Sequence, residues 1–335
     1  MPIVQLVATA GSAQGRGHLA RALSLAEARW AAGTTLQLEL LDGTLSDAER
    51  GRAAAVGVRK AVGEGPAAGS LVIVDVPHPA SVASRFDPAV LAVFDDSDEF
   101  DGRAAVVVQP SQAVWGGTGD AQLVLAGYDY VPISAEVRRH RSSAAGASAA
   151  AASTGRAPAA APPGHARRPR ILVCFGGSDP ADVTARIVPA LASLDVDVEA
   201  VVGPSYRGDT AGWSVPVYRD PPDLVERLVA ADLALLGAGT MKFEAACLAR
   251  PMALLAVSDD QPPVGTAFAA TGAARYLGDG RTIDSGDVVA ALAALLADPP
   301  ARAELGRTAA GVIDGNGADR IAAAIERLDQ PATRS

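Results

Sequence analysis

The chain has 335 residues and a formal net charge of −9, and this length accommodates two domains of ordinary size. The acidic balance argues against nonspecific binding of nucleic acid, which requires a basic surface. No stretch reaches the roughly 18 apolar residues of a membrane span, and the N-terminus lacks the basic region of a signal peptide, so the sequence predicts a cytoplasmic protein without a membrane span.

In the first half of the chain, short apolar runs alternate with helical patterns. Residues 17–32 are predicted to form a helix, with Gly33 as its C-cap. The order strand, loop, helix, strand predicts parallel strands with right-handed crossovers. Six strands are predicted, at residues 3–9, 36–41, 71–76, 90–94, 104–108 and 123–126.

Residues 141–169 are rich in Ala, Ser, Gly and Pro and have no apolar periodicity, which predicts a flexible interdomain linker. The second half repeats the alternation, with strands predicted at residues 171–175, 198–202, 215–218, 233–236 and 252–257. Helices are predicted at residues 183–191, 222–230, 242–249, 288–296 and 317–328. The sequence therefore predicts an α/β protein with two Rossmann-like parallel-sheet domains, residues 1–140 and 170–330, facing a ligand cleft. Cys174 and Cys247 lie in apolar contexts, which indicates buried thiols rather than a disulfide.

Three glycine loops each follow a predicted strand. They contain Gly15 and Gly17 in the first, Gly176, Gly177 and Ser178 in the second, and Gly239 and Thr240 in the third. Glycine lets the backbone approach a ligand closely, and the N–H groups at a following helix N-terminus suit a phosphate. The Thr240 hydroxyl can serve as N-cap or phosphate ligand. We therefore expect these residues to line a nucleotide or nucleotide-sugar site.

Several polar residues near these loops are candidates for chemistry. His18 opens the first helix and could remove a proton from water or a sugar hydroxyl, and Arg21, on the same face, could pair with a carboxylate or phosphate. The alternative is a helix-capping histidine beside a solvated arginine. Asp75 ends a strand, where α/β enzymes often display functional side chains, whereas His78 follows in a proline-flanked loop that favours simple exposure.

Polar residues of the second half are candidates for binding the sugar and ribose. Glu244 could accept hydrogen bonds from ribose hydroxyls, or act as a helix-capping residue. Asp260 and Gln261 could bind sugar hydroxyls, or simply form a polar loop. In the first half, the acidic run at residues 95–99 could hold Mg²⁺ or Mn²⁺ but favours a solvated turn.

Taken in order, these motifs resemble the UDP-sugar hydrolase of pseudaminic acid biosynthesis and the related spore-coat polysaccharide proteins, which are relatives of GT-B glycosyltransferases. The shared motifs are Gly-x-Gly-His-x-x-Arg at residues 15–21, an aspartate pair at 95–96, Leu-x-Gly-x-x-Tyr at 125–130, Gly-Gly-Ser-Asp-Pro at 176–180, and Gly-x-x-x-x-Glu at 239–244 followed by Gln261. The resemblance implies a GT-B-like fold, with His18 as the base that activates water and Glu244 as a ribose ligand. It also implies that Gly176, Gly177, Gly239 and Thr240 line the diphosphate, and that no metal or cofactor is required.

Two positions depart from that pattern. Pro77 stands where the family has a tyrosine after its middle strand, and Asp260 stands where it has asparagine. An aspartate cannot donate a hydrogen bond as asparagine does, and it adds charge beside an anionic substrate. The resemblance therefore predicts a preserved nucleotide site and an altered sugar-facing side.

The leading prediction is a nucleotide-sugar hydrolase, acting on a UDP-sugar in surface polysaccharide or nonulosonic acid biosynthesis, that releases free sugar and UDP. One alternative is a GT-B glycosyltransferase with the same donor site, in which an acceptor hydroxyl replaces water. The other is a protein that binds nucleotide sugars without catalysis, as the missing tyrosine suggests.

Overall fold

The computed structural model describes residues 3–10, 16–60, 70–112, 116–143 and 167–328. Its strands are β1 (Ile3–Ala8), β2 (Thr35–Leu40), β3 (Arg59–Lys60), β4 (Ser70–Asp75), β5 (Leu91–Phe94), β6 (Arg103–Gln109), β7 (Asp120–Ala126), β8 (Arg170–Cys174), β9 (Asp197–Val202), β10 (Val217–Arg219), β11 (Leu233–Gly237), β12 (Met252–Ala256) and β13 (Arg275–Asp279).

The helices are α1 (Gly17–Ala26), α2 (Asp47–Ala55), α3 (Pro79–Ala83), α4 (described over 135–143), α5 (Val183–Ile187), α6 (Leu224–Ala230), α7 (Met241–Cys247), α8 (Gln261–Ala270), α9 (Ser285–Ala297), α10 (Pro299–Val312) and α11 (Gly317–Leu328). No helix among the described residues is long and apolar enough to cross a membrane. Both cysteines are buried and neither forms a disulfide, as predicted.

The chain divides into two compact units. The first takes in the chain up to Ser134, the loop Gly176–Ser178 and the chain from Ile313 onward, and the second takes in the rest. The sequence-based boundaries differ from this division at three places. They assign residues 135–140 to the first domain, and they assign the loop 176–178 and α11 to the second. Ile321 and Ile325 of α11 are buried in the core of the first unit, beside side chains of α1 and β6. Most of the predicted linker lies outside the described residues.

The first unit contains a seven-stranded parallel sheet in the order β3-β2-β1-β4-β5-β6-β7. The six predicted strands are confirmed to within a few residues. Four of them, β1, β4, β5 and β6, are buried on both faces as the interior of a parallel sheet requires, whereas β2 and β7 are partly exposed. The two-residue strand β3 and the polar helix α2 were not predicted. A capping box between Ser46 and Glu49 starts α2, so local hydrogen bonding replaces the apolar stripe that the prediction sought.

The prediction that α1 runs to residue 32 with Gly33 as its C-cap is wrong. The helix ends at Ala26, because the Leu25 carbonyl accepts the Trp30 indole N–H at 3.0 Å. The N–H of Arg29, which would continue the helix, donates instead to Asp319 of α11 at 2.8 Å. Gly33, with φ of +88°, lies in the turn that follows.

The second unit contains a six-stranded parallel sheet in the order β10-β9-β8-β11-β12-β13. Its five predicted strands are confirmed with small shifts, while β13, α8 and α10 were not predicted. The single helix expected at residues 183–191 is wrong. It is α5 followed by a 3₁₀ helix at Val188–Ser193, since Pro189 has no N–H to continue the α-helical ladder.

Both sheets therefore have the strand order of a doubly wound fold. The order reverses between β1 and β4 in the first unit and between β8 and β11 in the second. Ligands of such folds bind beyond the carboxyl ends of the strands at this switch point. Asp75 ends β4 and the Gly237–Thr240 loop ends β11, so each unit carries candidate residues at its own switch point.

Candidate functional site

His18 and Asp75 form a hydrogen-bonded pair at the switch point of the first unit. His18 lies in the first turn of α1 with its side chain 18% exposed, and Asp75 ends β4 with 2% exposure. Nδ1 of His18 is 2.8 Å from Oδ1 of Asp75. Because a carboxylate only accepts, Nδ1 carries the hydrogen and Nε2 is left as an acceptor. Nη2 of Arg21 also lies 3.3 Å from Nδ1, but the shorter, charge-assisted contact to the carboxylate decides the tautomer.

Arg21 clamps the carboxylate of Asp75 from the buried side. Nε of Arg21 donates to Oδ2 of Asp75 at 2.7 Å, and Nη2 donates to Oδ1, which makes the pair bidentate. Burial works to raise the pKa of Asp75, but the attraction of Arg21, its hydrogen bonds and that of His18 outweigh it, so the pKa lies below its ordinary value. Asp75 is therefore a buried, ionised orienting group for His18.

A second carboxylate holds the other side of Arg21. Nη1 of Arg21 donates to Asp96, whose other oxygen accepts from the Ser111 hydroxyl at 3.1 Å. The guanidinium carbon lies 4.7 Å from the centroid of the Phe94 ring. Burial works to lower the pKa of Arg21, and Asp75 and Asp96 more than offset this, so the pKa is raised and the side chain stays charged. The alternative of a solvated Arg21 is wrong, since the residue is 7% exposed.

The rest of the acidic run at residues 95–99 forms a hydrogen-bonded turn. The Asp95 carboxylate accepts from the N–H groups of Glu99 and Phe100 at 3.0 and 3.2 Å. Asp98, with φ of +59°, accepts from Gln109 at 3.1 Å. Backbone and amide donors thus occupy these carboxylates, in agreement with the turn that the sequence favours. His78 is a surface residue, 78% exposed and 3.1 Å from Glu99.

A different set of side chains could hold a metal. Over the described ranges, the one group with ligand atoms within 4.8 Å of one another is Glu136 and His140 of α4 with Glu226 of α6. None of these three was singled out from the sequence. Nε2 of His140 is 3.6 Å from Oε1 of Glu226, a weak ion-pair distance at a half-exposed position.

In the second unit, the expectation that the α5 N-terminus binds a phosphate is not supported by its hydrogen bonding. The Asp179 carboxylate accepts from Val183 N–H at 3.1 Å, from Thr184 N–H at 2.7 Å and from the Thr184 hydroxyl at 2.5 Å. Asp179 therefore satisfies the N–H groups that were expected to bind the anion. The preceding loop, Gly176–Ser178, belongs to the first unit by contact, and its three residues are half-buried turn residues, with Gly176 at φ of +92°.

The loop after β11 carries the other predicted phosphate contacts. Gly239 and Thr240 are half-buried, and the Thr240 side chain makes no capping hydrogen bond to α7. Glu244 lies half-buried in the first turn of α7. The Gln261 side-chain oxygen accepts from Val257 N–H at 3.0 Å, and its amide nitrogen is 3.5 Å from where a Cβ on Gly239 would lie. Asp260 is exposed at the N-cap of α8.

The structure thus brings together two sets of predicted residues, one in each unit. His18 and Arg21 meet in the first unit, and Gly239 and Gln261 meet in the second. Gly17 is the first residue of α1, whereas Gly15 lies outside the described residues. Asp75 and Asp96 were noticed in the sequence but not assigned a place in the site. Their signal was position, because both lie at the carboxyl ends of neighbouring parallel strands.

Comparison with known proteins identifies the fold as GT-B-like, with two doubly wound parallel-sheet domains. MurG of Acinetobacter baumannii superposes with a TM-score of 0.60 at 15% identity, covering 97% of this chain and 99% of that one. The spinosyn forosaminyltransferase SpnP gives 0.61 at 16% identity over 97% and 98%. UDP-GlcNAc 2-epimerase from Neisseria meningitidis, bound to UDP-GlcNAc, gives 0.55 at 10% identity over 98% and 100%.

In sequence, the chain is similar to a spore coat polysaccharide biosynthesis protein. SpsG of Bacillus subtilis (strain 168) is 25% identical over 169 residues, which make up 47% of this chain and 50% of SpsG. Protein MJ1062 of Methanocaldococcus jannaschii is 28% identical over 97 residues, 25% of this chain and 20% of that protein. The chain therefore matches at most half the length of these relatives. No family model matches it.

Proposed function

We propose that the protein is a nucleotide-sugar-dependent enzyme of the GT-B type, and that it transfers the sugar to an acceptor hydroxyl. The His18–Asp75 pair carries this proposal, because an oriented histidine with a free Nε2 can act as a general base. The glycosyltransferases among proteins of the same fold favour transfer over the hydrolysis expected from the sequence. The similarity to SpsG supports a role in polysaccharide biosynthesis.

In the proposed reaction, Nε2 of His18 takes the proton of the acceptor hydroxyl, and the hydroxyl oxygen bonds to the anomeric carbon of the sugar. The bond from that carbon to the diphosphate oxygen breaks, and the nucleoside diphosphate leaves with the electron pair. Asp75 stabilises the imidazolium that forms, and Arg21 keeps Asp75 ionised and in place. In the second unit, the N–H groups of Gly239 and Thr240 would bind the diphosphate of the nucleotide sugar.

Hydrolysis is the second candidate, because the Gly-x-Gly-His-x-x-Arg motif at residues 15–21 resembles that of a UDP-sugar hydrolase. The same base would then activate water and release free sugar. Pro77 and Asp260 depart from the hydrolase pattern, and these departures favour transfer over hydrolysis.

The test is release of nucleoside diphosphate from a panel of UDP-, dTDP-, CDP- and GDP-sugars, with and without saccharide acceptors. Release only with an acceptor supports transfer, and release without one supports hydrolysis. Binding without turnover across the panel contradicts both and favours a protein that only binds nucleotide sugars.

His18→Ala is expected to reduce turnover by roughly 10²- to 10⁴-fold, the usual contribution of a general base. His78→Ala is the matched control, since His78 is 78% exposed and is expected to leave turnover unchanged. A His18→Ala protein that turns over as fast as the wild type contradicts the assigned role of His18.

A further inference from the structure

Lys242 is a buried cation directly behind the loop Gly237–Thr240. It is 3% exposed, and its Nζ donates to the carbonyl oxygens of Ala238 at 2.7 Å and Gly239 at 3.0 Å. Nζ also lies 4.0 Å from the centroid of the Phe243 ring. Burying an ammonium group is costly unless polar groups and aromatic faces replace its water, and the two carbonyls and this ring do so. Lys60, the other of the two lysines in the chain, is exposed.

The two hydrogen bonds of Lys242 determine where the loop N–H groups point. In a trans peptide, the carbonyl of one residue and the N–H of the next lie in one plane and point in opposite directions. The Ala238 and Gly239 carbonyls both point to Nζ. The N–H groups of Gly239 and Thr240 consequently point away from the lysine, on the opposite side of the loop.

These two N–H groups are available to a ligand. Within the part of the chain that the structure describes, neither donates a backbone hydrogen bond, although both residues are half-buried. Half-buried backbone donors are normally satisfied, by protein, water or ligand. The Gln261 amide nitrogen faces the same loop, because its oxygen is held by Val257 N–H. The two N–H groups thus lie on one face of the loop, the Gln261 amide nitrogen lies beside Gly239, and the buried positive charge of Lys242 lies behind the loop. This arrangement suits an anion.

We propose that Lys242 is a positioning residue for the diphosphate of the nucleotide sugar. It orients the N–H groups of Gly239 and Thr240 toward the anion and places a fixed positive charge behind them. This inference rests on the proposed function, because it deepens the donor site assigned there. Lysine suits the position since its compact ammonium bonds both carbonyls without the space that a guanidinium fork needs.

The experiment is calorimetric titration of wild type, Lys242→Met, Lys242→Gln and the control Lys60→Met with pyrophosphate, UDP, UMP and uridine. Lys242→Met is expected to weaken binding of UDP and pyrophosphate by roughly tenfold or more, since hydrogen bonds and charge are both lost. The affinity for UMP should fall less and the affinity for uridine should not change, because the effect depends on the charge of the phosphates. Lys242→Gln, which keeps a donor without the charge, should fall between wild type and Lys242→Met, and Lys60→Met should match wild type.

Equal losses for uridine, UMP and UDP, or no loss for any, overturn the role of Lys242, because a merely structural defect does not scale with phosphate charge. If Lys242→Met does not fold, the comparison of ligand binding between Lys242→Gln and the wild type decides whether Lys242 has this role. Binding of pyrophosphate and UDP that depends on Lys242, with no sugar transferred or released, supports this inference and overturns the proposed function. Failure of the wild type to bind either probe overturns both.

Discussion

Asp75 is the residue on which the site in the first unit depends, because it meets His18 and Arg21 at once. Its carboxylate has two consequences that an asparagine would lose. It fixes the hydrogen of His18 on Nδ1, and it neutralises a buried guanidinium. Replacing it therefore tests chemistry and stability together, and the two effects can be separated by their dependence on pH.

Asp75→Asn is expected to lower turnover by roughly 10²- to 10⁴-fold, because the amide can donate to His18 and stabilise the wrong tautomer. It should also destabilise the first unit by about 3–5 kcal/mol, since Arg21 loses a buried partner. Steady-state kinetics and urea unfolding at pH 7 measure the two effects. Asp101→Asn, at an exposed aspartate of the same unit, is the control for both.

The pH dependence follows from the lowered pKa of Asp75. A carboxyl group whose folded pKa is depressed stabilises the fold in full above its unfolded pKa of about 3.9 and progressively less as pH falls toward the folded pKa. The difference in unfolding free energy between wild type and Asp75→Asn should be constant from about pH 5 to 8 and shrink below about pH 4. A difference that stays constant into acid contradicts the ionised pair.

At the scale of elements, α11 packs in the core of the first unit and also accepts hydrogen bonds from the segment that follows α1. Asp319 takes the N–H of Arg29, and Glu326 takes the N–H of Ala31 at 2.6 Å. These bonds draw the chain out of the helical path after Ala26. The first turn of α11 sits against the chain at Val131, where a Cβ on Gly317 would lie 2.2 Å from the carbonyl oxygen. Only glycine fits this approach.

Gly317→Ala is therefore expected to destabilise the first unit by about 1–3 kcal/mol through overpacking against backbone. Gly51→Ala in α2 is the matched control, since an added Cβ there meets nothing within 4 Å and the residue is exposed. It should be neutral or stabilising by up to about 1 kcal/mol. Urea unfolding compares them, and equal effects of the two substitutions would refute the close contact at Val131.

At the scale of the whole molecule, the chain forms two doubly wound sheets, and its last described helix, α11, packs in the core of the first unit. Ile321 and Ile325 are 0% and 2% exposed in the core of the first unit. Burial of each isoleucine contributes about 1.5–3 kcal/mol, so the pair matters against the 5–15 kcal/mol of a typical domain.

A chain ending at Asn316 is consequently expected to lose protection in the first unit only. Hydrogen exchange followed by mass spectrometry should show faster exchange in β1 and α1, with β8 and β11 protected as in the full chain. Uniform loss of protection across both sheets, or none, would contradict the assignment of α11 to the first unit.

The sequence determined the parallel α/β class, eleven of the strands and the glycine loops by itself, because short runs of Val, Leu and Ala that alternate with helical patterns are typical of strands in a parallel sheet. It also pointed to His18, since a histidine at a strand-to-helix junction is a local pattern. Two of the elements that it did not reveal, α2 and β3, are respectively polar and only two residues long, and neither carries an apolar period.

Only the tertiary structure decided which polar side chains become hydrogen-bond partners. Asp75 lies 57 residues from His18, and Asp319 lies 290 residues from Arg29, so no local pattern could connect them. Asp179 and Lys242 bond to partners within five residues along the chain, but it is their burial by the surrounding fold that turns each side chain toward these partners. The physical reason is that a buried polar group needs a hydrogen-bond partner that is close in three dimensions. Sequence periodicity indicates only which residues are buried.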